Sequence, residues 1–283
     1  MVVQRHRRTG TAFAAAAAAM GLVSGATGCS GGGAAADSQR PTDPVDAMRQ
    51  AADVLVRQRT SKARTSMEMA TGGTRVTIRG EGVYDYRARL GRLKVMLPQD
   101  PAGVDEHRPI TELLAPGALY MKNRGAGVPA DKWVRVDTTT LSDGNLVTGG
   151  ATDPLAAAEL LRGAEDVTYV GESEVAGTPV RHYRGTADLV RAAKRASAGH
   201  RDALRAAAKG FPKGEVPFDA YLDDQGRVRK VRHQFSFANK GGDSGRKSDV
   251  DVASTTLLYD FGAPVRVELP DAEDIFAGKI AEE

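Results

Sequence analysis

From Ser66 to Leu269, segment after segment alternates apolar and polar side chains with a period of two, which restricts the chain to antiparallel strands with one face in water. Met67 and Met69 alternate with Ser66 and Glu68, and Val76 and Ile78 with Arg75, Thr77 and Arg79. Tyr84 and Tyr86 precede Leu93, Val95 and Leu97, and the pattern continues through Leu119-Tyr120-Met121 and Trp133-Val134-Arg135-Val136. A hairpin pairs Val167–Val170 with Val180–Tyr183 around Ala176-Gly177-Thr178. Val216–Leu222 and Arg227–Phe237 are joined by Asp223-Asp224-Gln225-Gly226, a turn that places glycine where φ is positive. A polar loop over 239–248 leads to Val250–Phe261 and Val265–Leu269, for about ten strands in all.

Helices interrupt this run without forming a repeated βαβ unit. The first follows Asp43 as cap and Pro44 as opening residue, with Val45, Met48, Ala52, Leu55 and Val56 on one face. A short second helix reads Asp153 cap, Pro154 start, Leu155 to Leu161 body and Gly163 stop. A third spans Asp188 to Lys209 and ends at Gly210, with Gly199 inside it as a potential break. Strands outnumber helices and no composition shift marks a boundary, which predicts one α+β domain over residues 44–283, a large curved antiparallel β-sheet wrapped over a few α-helices. Two subdomains are the alternative, because about 240 residues is large for one core.

The N-terminus has the three parts of an export signal over residues 1–28: a basic Arg5-His6-Arg7-Arg8, an Ala-rich apolar stretch from Ala12 to Val23, and a small-residue exit. That stretch is shorter than the roughly 20 residues needed to span a bilayer. The exit, Ala26-Thr27-Gly28-Cys29, resembles the lipobox of bacterial lipoproteins, with Ala26 where Leu is usual. Cys29 is the only cysteine, so it cannot close a disulfide within the chain, and the expected role is lipidation, anchoring the protein to the outer leaflet of the cell membrane. The competing reading is an incidental free thiol in a tail. Residues 29–43 are rich in Gly, Ala, Ser and Pro and read as a flexible tether. Arg7-Arg8 suggests twin-arginine export, but the residues that follow match poorly and the general secretory route is preferred.

The chain carries 39 Lys+Arg against 36 Asp+Glu, and Arg5, Arg7 and Arg8 account for the excess, so the mature protein is formally neutral. With no net positive field and no nucleic-acid-binding pattern, nucleic acid is set aside as a partner. No G-x-S-x-G elbow, P-loop, H-E-x-x-H or G-x-G-x-x-G pattern occurs. His107, His182, His200 and His233 lack ligand spacing, and those on strands read as surface or core-edge imidazoles. Asp224 is expected to shape its turn, and Asp249 and Asp251 to alternate outward. A non-enzymatic protein with no metal and no cofactor is expected.

Two features carry more information. On a single helix from Asp188 to Lys209, Arg191, Lys194, Arg195, Arg201, Arg205 and Lys209 fall within an arc of about 120°, opposite Leu189, Ala193, Ala196, Leu204 and Ala207. Such a face is a solvated exterior, or else a surface for anionic lipid headgroups. Met67, Met69, Met96 and Met121 lie on strands, where thioether chains fill gaps in a core or line a pocket for acyl chains.

The segment Val216-Pro217-Phe218-Asp219-Ala220-Tyr221-Leu222-Asp223-Asp224-Gln225-Gly226-Arg227-Val228-Arg229-Lys230-Val231, with Tyr259-Asp260-Phe261-Gly262-Ala263-Pro264-Val265-Arg266-Val267-Glu268-Leu269-Pro270, resembles the LppX/LprG-type lipoproteins of actinobacteria. The likeness implies a lipoprotein-carrier-like half-barrel with an apolar cavity that in some members holds lipids or acylated glycolipids. The expectation is therefore a membrane-anchored, monomeric extracytoplasmic lipoprotein that binds or carries a lipid, glycolipid or other apolar ligand between sheet and helices. Candidate cavity-lining residues are Met67, Met69, Val76, Ile78, Leu93 and Val95. The alternative is an envelope sensor or protein-interaction module without a bound ligand.

Overall fold

The computed structural model describes residues 43–71, 74–98, 108–125, 127–148, 152–238 and 249–277. The signal, the lipobox with Cys29, the tether up to residue 42 and His107 lie outside them. Helix α1 spans Pro44–Gln58 and opens as its sequence dictates: the Asp43 carboxylate accepts from the Val45 and Asp46 amides at 2.9 and 3.1 Å. It buries Met48, Ala51, Ala52, Val54 and Leu55. Val56, expected on this face, is 41% exposed. At 100° per residue it stands about 120° from the middle of the buried arc, whose far edge Val54 occupies instead.

Among the described residues, eleven strands form a single sheet, antiparallel at every junction. In chain order they are β1 (Thr60–Thr71), β2 (Thr74–Asp85), β3 (Leu90–Met96), β4 (Ile110–Ala115), β5 (Ala118–Lys122), β6 (Trp133–Asp137), β7 (Ala164–Val175), β8 (Thr178–Asp188), β9 (Glu215–Leu222), β10 (Val228–Ala238) and β11 (Asp249–Tyr259). The spatial order, β6-β5-β4-β3-β2-β1-β11-β10-β9-β8-β7, consists of two meanders joined where the first strand meets the last, in a register running from Lys62 opposite Tyr259 to Ala70 opposite Asp251. The sheet curves without closing, and with four helices among the described residues it is the predicted α+β half-barrel.

The alternation pattern misses β4, Ile-Thr-Glu-Leu-Leu-Ala, because Glu112, Leu113 and Leu114 are all buried and no period of two is visible there. The expected strand at Val265–Leu269 does not form. β1 and β10 already occupy both edges of β11, so a following strand cannot pair with the strand it leaves, and Pro264 and Pro270 remove two donors. The chain instead runs unpaired to the β6 edge, where Ile275 bridges Trp133 and the Phe276 amide donates to the Trp133 carbonyl at 2.8 Å. This contact covers part of an otherwise open edge.

Helix α2 (Pro154–Leu160) continues into a 3₁₀ turn, Leu161–Gly163, as its cap and stop residues predict. The expected single helix from Asp188 is two: α3 (Leu189–Arg195) and α4 (Ala198–Gly210). The break falls at Ala196 and Ser197, both extended, and not at Gly199. The Ser197 amide donates to the buried Glu159 carboxylate at 3.0 Å, a bond that a continuous helix would forfeit. Gly199 serves close approach instead, since a Cβ there would stand 3.2 Å from Pro116 and from the Arg89 guanidinium.

Candidate functional site

The concave face of the sheet is assembled by register. Met67 lies opposite Ile78 and Met69 opposite Val76 across β1 and β2. Leu93 and Val95 of β3 pair with Gly82 and Gly80 of β2. Of the six predicted lining residues, Met67, Ile78, Leu93 and Val95 are buried in one apolar cluster, whereas Met69 and Val76, toward the rim, are half-buried. Gly82 is required here: a Cβ would come within 1.9 Å of the Arg92 carbonyl oxygen, so β2 and β3 approach closely at this point. The helices lean mainly on the other half, α1 on β1 and β7, α2 on β10 and β11, and α3 on β8.

Polar atoms interrupt the apolar wall. Glu112 faces inward between Leu93 and Met121, its partners across β3 and β5. The side chain is wholly buried, and neither carboxyl oxygen has a hydrogen-bond partner among the described residues. Burial pushes this carboxyl up to about 8, against the opposing pull of the Arg124 charge, so it is largely neutral at pH 7. Even a neutral polar group buried without a partner costs on the order of 1–3 kcal/mol. Thr65 Oγ1 on β1 and His233 Nε2 on β10 are likewise buried without partners among the described residues. From the strand order and register, Thr65 lies about 16 Å from Glu112 and about 12 Å from His233 along the sheet. Burial depresses His233 to about 3, and its ring packs between Phe218 and Phe235 with centroids 6.3 and 6.1 Å away.

Sequence reasoning missed Glu112 because the strand that carries it was not legible; an acidic residue inside the apolar run Leu113-Leu114 was the available signal. Of the two strand histidines expected at the surface or core edge, His182 is half-buried and His233 is fully buried. His233 and His200 are buried, whereas His182 lies on the opposite sheet face, stacked on Tyr221 and 2.7 Å from Asp219. Turn formation falls to buried Asp223, which accepts from the Gln225 and Arg227 amides and from Arg227 Nε, and not to exposed Asp224.

The predicted basic face is divided between α3 and α4, and several of its cations are engaged within the protein. Arg191 pairs with Glu165, Arg195 donates to the Arg162 carbonyl at 3.2 Å, and Arg201 to the Ala196 carbonyl at 3.1 Å. Arg205 pairs with Asp202 at 2.7 Å, and Lys194 is exposed.

A second polar cluster joins the helices to the sheet. Asp153 caps α2 through the Leu155 and Ala156 amides, accepts from the Tyr84 hydroxyl at 3.2 Å, and has His200 Nε2 3.7 Å from its Oδ2. Ser197 Oγ stands 3.3 Å from His200 Nδ1. Burial works against a charged His200, but the Asp153 carboxylate, with Glu159 beyond it, outweighs burial and raises its pKa. Asp153 is spent on capping, and the cluster ties α2, α4 and β2 together.

A cavity of about 840 Å³ lies where β1, β10 and β11 end near Phe211–Val216, with charged Glu68, Arg75 and Arg232 and apolar Phe211, Phe235 and Val252 in its lining. None of the six predicted lining residues borders it. No described helix is long and apolar enough to cross a membrane.

No protein-family model and no curated protein matches the sequence. Among solved structures, the chain is similar to lipoprotein LppX of Mycobacterium tuberculosis, at 10% identity and a TM-score of 0.48, over 80% of this chain and 100% of that one. It is similar to LprF of Mycobacterium bovis at 13% identity and a TM-score of 0.38, over 80% and 96%. A LolA-superfamily protein of Nitrosomonas europaea follows at 9% identity and a TM-score of 0.33, over 83% and 99%.

Proposed function

We propose that this protein is an extracytoplasmic lipoprotein, acylated at Cys29 and held at the cell membrane, that binds or carries an apolar ligand, a lipid or glycolipid, against the concave face of its sheet. The observation that carries this reading is the asymmetry of that face. Helices α1, α2 and α3 lean mainly on β1, β7, β8, β10 and β11, with α4 packed on α2 and α3, while the apolar wall of β2–β6, formed by Ile78, Leu93, Val95, Ile110, Met121 and Val134, carries a buried carboxyl that packing alone does not explain. Such a wall captures hydrocarbon by partition, at about 0.8 kcal/mol per buried methylene, and needs no catalytic group. The acylated N-terminus keeps the site at the bilayer from which a lipid is drawn.

Extraction of the native protein in mild detergent followed by native mass spectrometry tests the reading. A co-purifying lipid that decreases when Val95→Trp narrows the wall is the expected result; a protein that carries no lipid and takes up none from vesicles defeats it. The convex face offers a second reading. Exposed Met96 and half-buried Leu257 line an apolar trough of about 450 Å³ with Arg64 and Arg79, a surface suited to a protein partner. Crosslinking in intact cells separates the two, through lipid adducts on one side and a defined protein adduct on the other.

A further inference from the structure

Glu112 sits on the concave wall with nothing to do there. It supports no turn, caps no helix and pairs with no cation through a hydrogen bond among the described residues. Its neighbours in register, Leu93 and Met121, are apolar, and Ile110 and Leu114 flank it on the same face of β4. The two strand neighbours fix its direction, because a period of two sends Ile110, Glu112 and Leu114 to one side of the sheet. A leucine would fill that position without leaving a polar atom stranded.

Resting on the function proposed above, we infer that Glu112 is the polar contact for the bound molecule, and that this molecule is an amphiphile with an uncharged oxygen function, a hydroxyl or an ester, held next to its hydrocarbon chain. A bare hydrocarbon leaves both oxygens of Glu112 stranded, so it gains nothing from the residue. A quaternary ammonium or phosphate headgroup brings a charge into a wall that has no buried counter-ion at this point, and desolvation opposes it. A neutral carboxyl, by contrast, donates to an ester carbonyl and accepts from a hydroxyl at the same time. Burial keeps Glu112 in that neutral form at pH 7. Thr65, three strands away on the same face, provides a second neutral donor and acceptor for a molecule with more than one oxygen function.

The experiment uses the delipidated full-length protein and two probes of equal chain length, monopalmitoylglycerol and hexadecane, with dissociation constants measured for wild type, Glu112→Gln and Glu112→Leu. Wild type and Glu112→Gln are expected to bind the glyceride alike. Glu112→Leu is expected to bind it about five- to tenfold more weakly, the loss of one to two neutral hydrogen bonds, while hexadecane binding is unchanged or tighter. Glu112→Met is the second apolar variant, with the same expectation. Glyceride binding by both apolar variants equal to wild type, or parallel loss of both probes in every Glu112 variant, overturns the inference and leaves the proposed function standing. A wild type that binds neither probe removes the proposed function itself.

Discussion

Arg162, at the end of α2, donates two hydrogen bonds to Asp53 of α1, at 2.6 and 3.0 Å. The same guanidinium reaches back to Glu159 through its Nε at 2.7 Å, so one cation serves an exposed and a buried carboxylate together. The two partners differ in what they leave behind. Asp53 is half exposed and would be resolvated, whereas Glu159 is 1% exposed and would be stranded. Arg162→Met is therefore expected to destabilise the fold by about 3 kcal/mol and Asp53→Asn by less than about 1 kcal/mol, as read from urea unfolding midpoints. Equal effects of the two substitutions would show that the buried half of the network contributes nothing.

Glu112 sets the sign of the pH dependence on the alkaline side. It stays protonated in the folded protein up to about pH 8, while the unfolded chain releases the proton near the ordinary value of 4.5. Between those values the folded state binds the extra proton, so stability falls as pH rises, by a limit of about 5 kcal/mol. Thermal melts of Glu112→Gln between pH 5 and pH 8 should decline less than those of wild type. Parallel profiles would place the carboxyl in contact with water.

His233 acts in the opposite sense. Its folded pKa is depressed to about 3 from an ordinary 6.5, so below pH 6.5 the unfolded chain takes up a proton that the folded one refuses. Its contribution is complete above 6.5 and is lost as pH falls toward 3, again by a limit of about 5 kcal/mol. His233→Phe, placed between Phe218 and Phe235, should flatten the acid limb of the stability profile. An unchanged acid midpoint would refute the assignment.

Gly82→Ala tests the close approach of β2 and β3. The added methyl carbon would stand 1.9 Å from the Arg92 carbonyl oxygen, so the strand backbone itself has to move, and a loss of more than about 2 kcal/mol is expected. A melting temperature within a degree of wild type would mean that β2 and β3 separate at little cost.

Cys29→Ala is expected to abolish incorporation of labelled palmitate and to move the protein from the membrane fraction to the soluble one in the native host. Continued sedimentation with membranes would require another attachment.

Most strands were legible because alternation reports one property, which side of a sheet each residue faces, and that property survives without knowledge of the partner strand. Asp43, Asp153 and Gly163 were equally legible as helix punctuation, since capping is satisfied within a few residues of chain. β4 was not, because burial on both faces erases alternation. The lost strand carried Glu112, and so the most informative residue of the candidate site went unread. The break between α3 and α4 was hidden for a related reason: it depends on Glu159, 38 residues away, accepting from the Ser197 amide.

By itself, then, the amino-acid order determined the number and direction of most strands, the helix ends, and the basic, apolar and small-residue stretches that precede a lone cysteine. Only the tertiary structure decided that the first and last strands join two meanders into one open sheet, that Val265–Leu269 stays unpaired because both edges of β11 are taken, and that a carboxyl sits on an apolar wall. The physical reason is range. Alternation and capping are settled between neighbours in the chain, whereas edge availability, desolvation and the partners of a buried charge depend on residues that meet only when the sheet is complete.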